Sequence, residues 1–88
     1  MFQRYALNAV RNSDGVDVFS FDRHHLCVRI EGIEYLVECE RGPDYLDIWE
    51  PVTNEHYNPA DRALRDRLRH LAAEGMKTLG EYKTIHVD

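Results

Sequence analysis

Apolar and polar residues alternate over two neighbouring stretches of the chain. In 26–30, Leu26, Val28 and Ile30 share one side of an extended backbone, and in 33–39 Ile33, Tyr35, Val37 and Cys39 do the same. Only Glu31 and Gly32 separate the two stretches. Two-residue loops use turns with positive φ, so this glycine predicts a hairpin and fixes its register. Residue 30 then faces 33, 28 faces 35 and 26 faces 37, all on one apolar face. The other face pairs Arg29 with Glu34, opposite charges across the strands, and Cys27 with Leu36.

Shorter alternating runs predict further strands. One spans 16–21 and is entered through Asn12, Ser13, Asp14 and Gly15, all turn formers. A turn at Arg41-Gly42-Pro43-Asp44 leads into a strand at 45–49, ended by Pro51. A last strand at 81–87 follows Gly80, with Ile85 and Val87 on one side and Tyr82, Thr84 and His86 on the other. In the first ten residues Phe2, Tyr5, Ala6 and Ala9 have helical spacing, yet a strand running toward Asp14-Gly15 fits as well, and we read a strand or irregular arm. The period changes to that of a helix over 59–74. Asn58 is placed to cap it, Pro59 suits its first position and Asp61 its first turn. Ala60, Leu64, Leu68, Leu71 and Ala72 form its apolar stripe, and Gly75 is the expected stop. The expected fold is one α+β domain over 1–88: an antiparallel sheet of about four to five strands, built on the hairpin 26–30/33–39, with one amphipathic helix packed on it.

Composition narrows the function. The chain has 88 residues, 43% of them hydrophobic and 31% charged, which suits one globular domain and excludes a disordered chain. No apolar run approaches the roughly 20 residues of a membrane span. The start lacks the basic-then-apolar layout of a signal peptide, so the expected location is cytoplasmic. The net charge of −5 and pI near 5.4 argue against nucleic-acid binding by bulk charge.

The charge is also unevenly spread. Between Glu31 and Glu55 eight acidic residues meet one basic residue, Arg41, while the predicted helix holds four of the eleven basic residues. Such a segment forms a landing surface for a basic protein partner. The same acids would equally solvate the outer face of a half-buried sheet. Trp49, the only tryptophan, lies among them, and Tyr45 shares its face. Exposed aromatics ringed by carboxylates anchor protein partners, although tryptophan also serves cores. The candidate contact residues are Glu34, Glu38, Glu40, Asp44, Tyr45, Asp47, Trp49 and Glu50.

No sequence motif commits the chain to catalysis. There is no Gly-rich phosphate loop and no nucleophile elbow. His24 faces Cys39 if the hairpin register extends, but no C-x-x-C or H-x-x-x-H completes a metal site, so no metal or cofactor is expected. Cys27 and Cys39 fall on opposite faces, which argues against a disulfide between them. Asp44 after Pro43, with Glu81 and Lys83 far along the chain, matches the divided carboxylate–lysine pattern of metal-dependent nucleases and gives a second reading, a small enzyme. A phage-encoded inhibitor or a homodimeric structural subunit, pairing through a strand edge at 45–49 or the last strand, is a third.

The run from Val28 to Glu40, then Ile48-Trp49-Glu50-Pro51, then the helix after Asn58, resembles small bacterial immunity proteins of polymorphic toxin systems. The resemblance covers about half of the chain, 28–72, through short motifs. It implies a non-enzymatic inhibitor that holds a cognate toxin, often a basic nuclease, against an acidic face.

Overall fold

A computed structural model of the chain describes residues 1–52 and 61–88. Seven strands form one sheet: β1 (Gln3–Ala6), β2 (Ala9–Arg11), β3 (Asp17–Asp22), β4 (His25–Ile30), β5 (Ile33–Arg41), β6 (Tyr45–Pro51) and β7 (Thr84–Val87). Their order in the sheet is their order in the chain. One helix, α1 (Arg62–Leu79), connects β6 to β7.

The central hairpin has the predicted register, with Ile30 opposite Ile33, Val28 opposite Tyr35, Leu26 opposite Val37 and Arg29 opposite Glu34. Its turn places both Glu31 (φ 52°) and Gly32 (φ 81°) in the left-handed region, as a two-residue loop between twisted strands requires. Strands β1 to β6 form an antiparallel meander.

Several expectations need correction. The sheet has seven strands, because the first eleven residues form a separate short hairpin of their own. It is mixed, because the helical crossover returns β7 parallel to β6. The strand at 45–49 is therefore interior, paired with β5 and β7; the free edges belong to β1 and β7.

The helix also differs from the expected 59–74. Asp61 caps it, its carboxylate accepting from the Leu64 amide at 3.1 Å, so Asp61 precedes the first turn. The expected cap Asn58, Pro59 at N1 and the stripe's Ala60 lie outside the described residues. Gly75 does not stop the helix. The chain runs a further turn to Gly80, whose left-handed φ of 74° ends it, with its amide bonded to the Met76 carbonyl at 3.2 Å. Gly75 is instead the point where the helix meets the sheet. A Cβ there would lie 2.6 Å from Cβ of Val18 on β3.

The helix covers one face of the sheet and reaches all seven strands. Leu68, Ala72, Met76 and Leu79 pack with Val10, Val18, Leu26, Val28, Val37, Leu46 and Ile48. Leu64 and Leu71 of the predicted stripe border this core. Among the described residues no helix is long and apolar enough to cross a membrane.

Candidate functional site

Strand alternation turns the remaining side chains of the sheet to the face without the helix. On its β2–β5 half, Arg11, Asp17, Arg29 and Glu34 stand opposite one another in register. Their charges alternate in sign. The Asp17 carboxylate, almost wholly buried, accepts from Arg11 Nε at 2.5 Å and from Arg29 at 3.1 Å, and Arg29 also donates to Glu34 at 2.7 Å. Arg11 stacks on Tyr5 and Arg29 on Phe19, at 4.4 and 5.1 Å from the ring centres. This row is charged but internally neutralised.

The hydrogen bond from Arg11, aided by Arg29, outweighs burial and holds the Asp17 carboxyl below the usual carboxylate range. A carboxyl depressed in the fold adds stability above its unfolded pKa and loses it as pH falls through the folded one. Asp17→Asn is therefore expected to cost about 1–3 kcal/mol at neutral pH. Urea unfolding of the two proteins should converge as pH drops below the ordinary carboxylate range; a gap that persists there would exclude this origin.

The β5–β6 half is different. Glu38 and Glu40 on β5 and Asp47 on β6 share the open face; Glu40 pairs in register with Asp47. None of the three has a Lys or Arg partner among the described residues. The lone base of this segment, Arg41, is turned away. It pairs with Leu46 and sends its guanidinium toward the β3–β4 turn and the segment after the helix, donating to Ser20 Oγ, the Tyr82 hydroxyl and the carbonyls of Asp22, Arg23 and His25. The sheet's pleat thus separates the acids from the one cation that sequence places among them.

Trp49 is 41% and Tyr45 37% exposed, beside these acids on β6. A bulge sets two β6 residues, Trp49 and Glu50, against Glu38. Trp49 follows core-facing Ile48 and takes the open side. The ring of Tyr45 lies across Gly42, in space that any Cβ at 42 would occupy. Asp44, at the turn into β6, is exposed, and its carbonyl accepts from the amides of Lys83 and Thr84 at 2.9 and 3.2 Å.

The eight predicted contact residues do not all assemble. Glu38, Glu40, Tyr45, Asp47 and Trp49 share the open face of β5 and β6, and Asp44 lies in the turn before β6. Glu34 belongs to the neutralised row. Glu50 reaches to the helix, where Arg65 and, at 3.1 Å, Arg69 hold it. A residue outside the prediction joins the patch. Phe21, 54% exposed, stands in the β3 bulge opposite His25, which in turn faces Glu38. Its signal in sequence is the alternation Phe19-Ser20-Phe21, which puts two phenylalanines on one strand face.

Other candidate chemistry finds less support in geometry. Backbone pairing brings the segments of Asp44 and Lys83 together, but among the described residues no three His, Cys, Asp or Glu side chains are grouped to hold a metal. Cys27 and Cys39 are buried free thiols on opposite faces; burial pushes Cys27 up to about 11, far from a reactive thiolate. A recess of about 520 Å³ beside β1 is bordered by Arg4 and Arg11. They do not converge on it. Arg4 donates to the Leu79 carbonyl on the helix side, whereas Arg11 lies on the open side against Asp17. Comparison with protein-family models, curated proteins and solved structures finds no match.

Proposed function

We propose that the protein is a binding module that holds a basic protein partner against the open face of β5 and β6, as an inhibitor of the immunity type does. The observation that carries this reading is the coincidence of exposed Trp49 and Tyr45 with Glu38, Glu40 and Asp47, carboxylates that no Lys or Arg of the described chain neutralises. Water-exposed tryptophan in a field of acids without Lys or Arg partners suits a cationic surface with apolar gaps: the acids speed encounter and the rings hold the complex. No catalytic residues, metal or cofactor are assigned. The partner is a basic protein, such as a nuclease toxin.

The test is capture from a lysate of the source cell at low salt, followed by binding kinetics on the protein that salt releases. Glu40→Lys with Asp47→Lys should slow association at least about tenfold, and Trp49→Ala should speed dissociation by a similar factor. Glu50→Lys is a poor probe, since it breaks the clasp to the helix. Unchanged rates in both surface variants would exclude this face.

A further inference from the structure

Two histidines border the acidic patch, one on each side. His25 on β4 stands opposite Glu38, and its Nδ1 lies 2.7 Å from Asp22 on β3. His86 on β7 stands opposite Asp47, with Nδ1 at 3.8 Å from that carboxylate and 3.4 Å from Asp88. Resting on the protein-binding reading, we propose that His25 and His86 gate the patch: protonated, they put positive charge on its rim and release a cationic partner.

Acidic groups surround each histidine. His25 faces Asp22 across β3 and Glu38 across β5; the nearest cation, Arg41, donates to its backbone carbonyl at 3.4 Å and points to the helix side. Arg23 and His24 precede it in the turn. His86 faces Asp47 across β6 and Asp88 just past the end of β7, and β7 is an edge with no strand beyond it among the described residues. Imidazoles are the side chains that change charge between about pH 5 and 8, while carboxylates stay ionised. Protonation of both would add two positive charges to the rim of the patch. A partner's Lys or Arg then meets like charge on the rim of the patch.

The test uses a lysine- and arginine-rich peptide of about 20 residues at low salt, read by the fluorescence of Trp49, the only tryptophan. Binding should weaken at least about tenfold between pH 7.5 and 5.5 in the native protein, and by less than about threefold in His25→Asn/His86→Asn. His70→Asn, altering an exposed histidine on the helix, should keep the full drop. Absence of peptide binding at neutral pH overturns the protein-binding reading and the gate with it. Binding that ignores pH, or a drop undiminished in the His25/His86 variant, overturns the gate alone.

Discussion

Gly75→Leu is expected to lose about 3 kcal/mol of stability or more, and Gly75→Ala about 1–2 kcal/mol. On an exposed helix face the alanine change would gain about 1 kcal/mol from helix propensity. Here the new Cβ would sit 2.6, 2.7 and 2.9 Å from Cβ and both methyls of Val18. Val18 cannot yield. It is fully buried on β3, paired with Val10 and Val28, and its branched side chain has little χ1 freedom. Helix and sheet would have to separate, loosening the layer that Ala72 and Met76 fill. Trimming the opposing residue tests the cause. In a double-mutant cycle Gly75→Ala with Val18→Gly, which removes the opposing Cβ as well as both methyls, should show a favourable coupling of about 1 kcal/mol or more. Urea unfolding measures all four proteins, and a Gly75→Ala variant more stable than the native chain would refute the close contact.

Arg41→Met should cost about 2–3 kcal/mol. The guanidinium makes hydrogen bonds of 3.0–3.4 Å to three backbone carbonyls and two hydroxyls, tying the β3–β4 turn and Tyr82 to β5. Methionine keeps the stem's bulk and leaves those acceptors without their donor. Arg41→Lys should recover less than half of the loss, because an ammonium cannot reproduce a planar fork spread over five acceptors. Thermal and urea unfolding would check the series; full rescue by lysine would reduce the role of Arg41 to its charge. The acidic face should keep its charge in every variant, since Arg41 does not lie on it.

Local patterns carried much of this fold. Alternation around a two-residue loop determines β4 and β5 residue by residue, because a one-residue slip would expose the apolar face of both strands. The helix was readable as an element, but its ends were not. Asp61 and Asn58 are equally good caps by residue type, and Gly75 reads as a stop until the packing of Val18 is known. The direction of β7 was hidden because a short alternating strand looks the same whether it enters parallel or antiparallel; the crossover decides it. The acidic patch was legible as a charge run. Its boundaries were not, because sequence distance places Arg41 among the acids and Glu50 beside Trp49, whereas pleat and bulge send both toward the helix side. Phe21 escaped for the same reason: it joins the patch through strand neighbours, not chain neighbours.

The meander has a kinetic corollary. From β1 to β6 each strand pairs with the one just before it, across connections of two to five residues. Closing such short loops costs little entropy, so these pairings are cheap to nucleate and can form in the order of the chain. Only the step from β6 through α1 to β7 spans a long contour. The barrier to folding should therefore concentrate in docking the helix, with the contact of Gly75 on Val18 at its centre.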